Sequence, residues 1–430
     1  MTDSKKVDQA TFERALEVGR PPNIRKLFPN SRALIVSGKA VDRGMRAKGK
    51  AMTIAANGRN RFVIEGALRA AQRANATLLI EIAKSEGGAS AYCAVNYWNI
   101  ATYVDAIANR LGITVPVAIH ADHYGIKGDK DVEQAKVEIP SMFDAGITSI
   151  AIDASHLPDD RNLLASLELA KYVPAWAGLE TEVGEIKGKT GLSTVDEALF
   201  LIKGLNAHGI FPDWIALNNG TTHGIEASDA GIQVELTARI HEALEPYGVS
   251  GAQHGTSGNS SERLRNIAAN TSTTKANVAT ALQMISWGVR VNDYGNAILD
   301  GDDFAKVSDK GATDEVWEAM VAYAAERGWK KGDYKKLNLP FENRLFGQPA
   351  EIRERMVEDV EGFVYNILTE VFNAGDTAPL AIQALLDAGS HELAPVGGKI
   401  EDPAEWTQDK IIARAKTLDS DKGEDGDFDD

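Results

Sequence analysis

Three runs in this 430-residue chain place a histidine where an apolar, strand-like segment gives way to small and polar residues. They are His120-Ala121-Asp122-His123 after Val115-Pro116-Val117-Ala118-Ile119, Thr222-His223-Gly224 after Trp214-Ile215-Ala216-Leu217, and His254-Gly255-Thr256-Ser257-Gly258 after Val249-Ser250-Gly251-Ala252-Gln253. The chain has only eight histidines, so this placement carries information. Imidazoles on the ends of separate strands can meet on one metal ion. On a strand His120 and Asp122 face the same side, and a loop just past it can turn His123 inward. A metal-binding imidazole beside a carboxylate suits Lewis-acid chemistry that carries its own base. Each run alone also fits a hydrogen-bonded strand end or a glycine turn; the three together favour the metal.

The neighbouring residues extend the pattern. Gly224 lets a ligand approach the backbone closely. The glycines around Thr256 and Ser257 free backbone N–H groups that can cradle a phosphate. Glu180-Thr181-Glu182 puts two carboxylates on one strand face. Glu182 reads as an inward carboxylate that needs a cation, and Glu180 as a solvated or structural one. Val291-Asn292-Asp293-Tyr294-Gly295-Asn296 is a further polar cluster. His208, His241 and His391 read as surface residues, His156 as a loop residue, and Cys93 as a buried, inert thiol.

The elements needed to position these groups alternate. Strand-like runs fall at 52–56, 78–83, 115–120, 147–152, 175–183, 213–217, 249–254 and 288–292. Helical spacing of apolar residues falls between them, at 62–74, 98–111, 132–145, 162–172, 194–207, 233–245 and 274–285. Eight alternations over about 240 residues have the size and rhythm of a (β/α)8 TIM barrel. A doubly wound open sheet would carry a glycine-rich turn after its first strand, and Asn57-Gly58-Arg59-Asn60 is not one. The expected organisation is an N-terminal extension over 1–50, the barrel over 51–300, a C-terminal helical extension over 301–418, and an acidic, disordered tail over 419–430.

Composition narrows the function. With 43% hydrophobic and 25% charged residues the chain reads as an ordinary globular protein. Its net charge of −16 argues against a nucleic-acid partner. No apolar run approaches the roughly 20 residues that span a bilayer. The first residues lack the apolar core of a secretory signal, and the single cysteine excludes an intrachain disulfide, so a cytoplasmic setting is expected.

Taken in order, these motifs make the chain similar to the class II (metal-dependent) fructose-bisphosphate aldolases. The resemblance rests on Ala56-Asn57, Ser85-Glu86-Gly87-Gly88, His120-Ala121-Asp122-His123, Asp153-Ala154-Ser155-His156-Leu157-Pro158 and Glu180-Thr181-Glu182-Val183-Gly184, followed by Thr222-His223-Gly224, His254-Gly255-Thr256-Ser257-Gly258 and Val291-Asn292. Pro340-Phe341-Glu342-Asn343-Arg344 and Ile352-Arg353-Glu354-Arg355-Met356 resemble the C-terminal part of the longer members.

The resemblance implies that His123, His223 and His254 bind a catalytic Zn2+, with Glu182 as an alternative ligand. It implies that Asp122 exchanges a proton with the substrate C4 hydroxyl and that Asn292 steadies the enediolate. Gly224, Gly255 and Ser257 would cradle the ketose phosphate, assisted by a monovalent cation, with Asn57 and Ser85 touching substrate. The implied reaction is reversible cleavage of a phosphorylated ketose, first of all fructose 1,6-bisphosphate, into dihydroxyacetone phosphate and an aldehyde such as glyceraldehyde 3-phosphate, a step of glycolysis. The implied assembly is a homodimer or larger homo-oligomer. No lysine stands out as a Schiff-base former. The family pattern Asn-x-Asp-Thr-Asp on the eighth strand would be replaced by residues through Tyr294, Gly295 and Asn296. The loop after the fifth strand, Gly184 to Gly191, lacks the family's glycine and acidic pairs. Another ketose phosphate, a metal-dependent isomerase or epimerase, and a non-catalytic aldolase-like regulatory subunit are the alternatives.

Overall fold

The computed structural model of the chain describes residues 7–418 except 90, 185–190, 221–230, 257, 293–294 and 302. Eight parallel strands close into a barrel in sequence order. They are β1 (Thr53–Asn57), β2 (Leu78–Ala83), β3 (Val117–Gly125), β4 (Ser149–Asp153), β5 (Gly178–Val183), β6 (Trp214–Leu217), β7 (Ser250–Gln253) and β8 (Thr273–Val278). β8 pairs back onto β1, with Thr53 beside Lys275 and Ala55 beside Asn277. Strands walled in on both faces are buried along their length, as β1, β2 and β4 to β8 are.

The helix Arg61–Ala74 shows how local sequence sets an outer element. Asn60 caps it by accepting from the Val63 amide, and Asn75 ends it in the left-handed region at φ 51°. Phe62, Val63, Ile64, Ala67, Leu68 and Ala71 are its buried face. The C-terminal helix Ala350–Asn366 lies across it, where Gly66 leaves room for Val360.

The eighth strand is not where the sequence places it. The stretch expected as helix over 274–285 is β8 followed by the helix Thr280–Trp287, and the helix Ser261–Asn270 precedes β8. Residues expected as the strand 288–292 form only isolated bridges, Val289 to Lys306 and Val291 to Ala297. Asn292 therefore lies off the barrel wall. The reason is chemical. Thr273-Thr274-Lys275-Ala276-Asn277 looks too polar for an interior strand, but its threonines favour extended backbone and its polar groups find partners. Trp214 Nε1 donates to Thr274 Oγ1 at 2.8 Å, and Thr274 Oγ1 donates to Asp42 Oδ1 at 2.8 Å. His241 also departs from expectation: it is buried, and its Nδ1 accepts from the Ser272 amide at 3.1 Å.

The N-terminal extension seals the base of the barrel. Ala40 and Val41 of the helix Gly38–Lys48 pack with Ala55, Leu79, Ala118 and Trp214 of the strands. Asp42 has a fully buried side chain, accepts from Ser250 Oγ at 2.6 Å, and pairs with Arg46 at 2.8 Å. The C-terminal helix Ala378–Ala388 covers the outer side of this plug, with Ala381 against Gly44.

The plug seats closely at Gly38, where an added Cβ would lie 2.5 Å from Ser149 Oγ. Gly38→Val should cost about 1–3 kcal/mol through overpacking. The expected result is a lower urea midpoint with an unchanged slope; a midpoint equal to that of the unaltered chain would contradict the close fit.

Candidate metal and proton-transfer centre

The strands deliver their inward side chains in layers, because residues two apart share a face. Above the apolar base formed around Leu79, Ala118 and Trp214 comes a layer of Glu81, His120, Glu180 and Lys275. Above that come Asn57, Asp122, Glu182, His254 and Asn277. A barrel interior is usually filled by branched apolar residues, so a charged layer needs its own compensation.

Lys275 supplies it. Its fully buried Nζ donates to Glu180 Oε2 at 2.7 Å and to His120 Nε2 at 3.0 Å. It lies 3.6 Å from both Asp122 Oδ1 and Glu81 Oε2. Burial disfavours the ammonium, but Glu180, Glu81 and Asp122 outweigh it and raise the pKa above that of an ordinary lysine. His120, pushed down by burial and then by Lys275, is neutral, and its Nδ1 is 2.8 Å from Ser149 Oγ. Glu81 is pushed well up by burial and then by Asp122, and neither of its oxygens has a hydrogen-bond partner among the described residues. Glu180, expected as a solvated or structural carboxylate, is fully buried at the centre of this network. Lys275 was not singled out by its sequence context.

β3 carries the upper site. Its pairing with β4 shifts register between Ala121 and Tyr124, and His123 has φ 41°. This bulge turns two consecutive residues, Asp122 and His123, toward the same opening. His123 Nδ1 lies 3.2 Å from Glu182 Oε1 and 3.7 Å from Asp153 Oδ2. His254 uses Nε2 on Glu180 Oε1 at 2.8 Å, so its Nδ1, 3.8 Å from Glu182 Oε2, is the nitrogen left facing the site. The two imidazoles are 4.1 Å apart at 70°. Ligand atoms of His123, Asp153 and Glu182 lie within 4.8 Å of one another, as do those of Glu180, Glu182 and His254. A third such set joins Asp122 to both imidazoles, His123 and His254, and overlapping nitrogen and carboxylate donors of this kind could hold a divalent cation.

Asp122 accepts from Asn277 Nδ2 at 2.8 Å. Burial opposes its ionisation, but His123 and Lys275 outweigh burial and hold it below the usual carboxylate range. The side-chain amide beside the Asp122 carboxylate thus comes from Asn277 on β8. Asn292, expected to steady an enediolate, sits at a turn after the barrel, where its Oδ1 accepts from the Asn296 amide at 3.0 Å. Asn57 Nδ2 donates to Glu86 Oε2 at 2.5 Å, and Arg59 holds the other oxygen of Glu86 at 2.6 Å. Ser85 is exposed in the short helix Lys84–Gly87. Gly255 has φ 59°, which a glycine tolerates, directly after His254. His223, Gly224 and Ser257 lie outside the described residues.

Comparison with known proteins decides the family. The family model described as fructose-bisphosphate aldolase class-II matches residues 45–327. The chain belongs to this family. That places it among the carbon–carbon lyases. It is similar to the fructose-bisphosphate aldolase of Streptococcus pyogenes serotype M6, 30% identical over 226 residues that make up 50% of this chain and 69% of that protein. It is similar to the fructose-bisphosphate aldolase of Staphylococcus aureus strain Mu50, 32% identical over 28% of this chain and 38% of that one. The fold matches the crystal structure of the YdjI aldolase from Escherichia coli K12 with TM-score 0.52 at 17% identity, covering 80% of this chain and 99% of that one. The aldolase from Campylobacter jejuni matches with TM-score 0.51 at 17% identity, over 80% and 97%. Among the described residues no helix is long and apolar enough to cross a membrane.

The groups that could hold a metal retain a proton of their own. Burial, then Asp153, pushes Glu182 up to about 8. Burial disfavours the His123 cation, but Glu182 and Asp122 raise its pKa well above the imidazole value. Both groups have folded pKa values above their unfolded ones, so the stability they add is present at acid pH and is lost as pH rises through the folded values. A metal must displace that proton. Titrating the metal-free chain with Zn2+ in buffers of different ionisation enthalpy should show proton release and an affinity that rises between about pH 6 and 8. Binding without proton release would contradict the assignment. Lys275→Met should cost about 3–5 kcal/mol by stranding Glu180 in the interior; a denaturation midpoint that does not fall would show the ammonium to be dispensable.

Proposed function

We propose that the chain is a zinc-dependent aldolase that reversibly cleaves a phosphorylated ketose between C3 and C4. Fructose 1,6-bisphosphate is the first expected substrate, giving dihydroxyacetone phosphate and glyceraldehyde 3-phosphate. The observation that carries the reading is the geometry of one barrel mouth, where the Asp122 carboxylate lies within ligand distance of His123 and His254 with Glu182 beside both rings, in a chain whose family is class II aldolase. His123, His254 and Glu182 would hold the cation, with His223 as the further imidazole that the resemblance implies. When bound, the cation supplies Lewis-acid stabilisation of negative charge developing on the ketose C2 oxygen.

The residues of the chain do the rest. Asp122, kept ionised by its neighbours, takes the C4 hydroxyl proton as the C3–C4 bond breaks and returns it in the condensation direction. Asn277 and Lys275 fix that carboxylate from the side and from below. The role first placed on Asn292 passes to Asn277. Gly255 and Ser257, with Gly224, would cradle the ketose phosphate, Asn57 and Ser85 would contact the sugar, and the monovalent cation would assist the cradle. An imine-forming lysine must lose its proton, and Lys275 is held as an ammonium by Glu180.

A second reading, another ketose phosphate as substrate, has one specific support. After Asn277 the chain reads Val278-Ala279-Thr280-Ala281, so the threonine of the family pattern Asn-x-Asp-Thr-Asp is kept while alanines stand in both aspartate places.

Cleavage of fructose 1,6-bisphosphate and a panel of ketose mono- and bisphosphates, each with and without prior chelation, tests the reading. Activity on at least one that vanishes on chelation and returns with Zn2+ is expected. Asp122→Ala should lower kcat by about 10²–10⁴-fold with metal content retained. Turnover that survives thorough metal removal would refute the metal mechanism, and turnover that survives Asp122→Ala would refute the assigned base.

A further inference from the structure

Away from the barrel lumen, the helices Arg61–Ala74 and Ile100–Leu111 and the C-terminal helices Asn338–Phe346 and Ala350–Asn366 enclose a cavity of about 570 Å³. That is the size range of small-molecule sites. Its walls are mostly apolar, with Tyr103, Ile107, Phe346 and Val357 among them. Phe346, one of the lining residues, is 41% exposed. The Arg61 guanidinium stacks on that ring at 3.9 Å and the Arg353 guanidinium lies 4.9 Å from its centre.

The charges around the cavity are unequally matched. Arg61 pairs with Glu342 at 2.9 Å, and Arg110 with Glu65 at 2.5 Å. Arg69, just behind, takes Glu65 at 2.6 Å and also Glu354. Both carboxylates that line the cavity, Glu65 and Glu354, are therefore already engaged. Arg353 has no ion pair among the described residues, and its Nε is buried without a hydrogen-bond partner. A guanidinium is always charged, and its planar fork matches a carboxylate or sulfonate by two parallel hydrogen bonds. One unmatched cation beside an apolar hollow stands out on a chain of net charge −16.

We infer that this cavity binds a small amphipathic anion, one carboxylate or sulfonate carried on an aromatic or branched apolar body. The anionic group pairs with Arg353, and the body stacks beside Phe346 against Tyr103 and Val357. The site is separate from the barrel centre and does not depend on the reaction proposed there.

Calorimetric titration of the full chain with naphthalene-2-carboxylate tests it, with the uncharged naphthalene-2-carboxamide as control. One saturable site per chain is expected. Arg353→Gln should weaken the carboxylate about tenfold or more, the scale of a lost charge-assisted hydrogen bond, and the amide should bind the unaltered chain no better than that. Ala106→Trp, an exposed position on the cavity wall, should block binding while circular dichroism shows the fold kept. No saturable binding, equal affinity for acid and amide, or indifference to Arg353→Gln would each overturn the proposal. So would a dimer in sedimentation that Ala106→Trp dissociates while the carboxylate fails to bind, since the hollow would then be a contact between two copies.

Discussion

An ammonium ion sealed inside the barrel is the constraint on which the centre depends. Removing a lysine from water is costly unless its charge and all of its donors are met. Lys275 is met by Glu180, by a neutral His120, and by the field of Asp122 and Glu81. Each of those partners then acts upward. Glu180 turns to His254 and fixes which imidazole nitrogen faces the opening. Asp122, shared between Lys275 and Asn277, is buried and held below the usual carboxylate range. Glu81 is the carboxylate pushed furthest from ionisation, since burial and Asp122 act on it together. The layer can be polar only because the base beneath it is not: Trp214 meets the His120 ring edge-on at 6.3 Å, and the plug helix closes the floor.

The second constraint is backbone geometry at one residue. A regular strand would have sent Asp122 inward and His123 outward. The register shift and left-handed backbone at His123 break that alternation where two neighbouring functional groups are needed together. A strained residue of this kind persists only when its surroundings hold it, and Glu182 and Asp153 grip the ring from β5 and β4.

The sequence made the barrel legible because its strands are short apolar runs between amphipathic helices, and seven of the eight were found near their true places. Its failure at β8 has the same cause as the importance of that strand. Thr273 to Asn277 is polar because it furnishes Lys275 and Asn277 to the interior, and apolar periodicity cannot see a strand whose inward residues are charged. The helix-like spacing further on then drew the reading toward residue 292. The histidines and Asp122 were legible because their types are rare and their positions at strand ends are not. Glu180 was underrated because its justification lies in Lys275, almost a hundred residues away. A lysine and an asparagine two apart in a threonine-rich run, with nothing else to place them, were the available signal.

The plug at the base also bears on how the chain is made. Asp42 is completed by hydroxyls from Ser250 and Thr274, and its helix is backed by the helix Ala378–Ala388. A nascent chain emerging in order exposes this carboxylate and the alanine-lined floor long before either partner has been synthesised. The first three strands can meet this floor early through Ala55, Leu79 and Ala118, but its carboxylate lacks those hydroxyls until β7 and β8 are made. Completion of the floor therefore waits on the closing strands and on the helix that backs the plug, so the two ends of the polypeptide are joined through the base of the barrel.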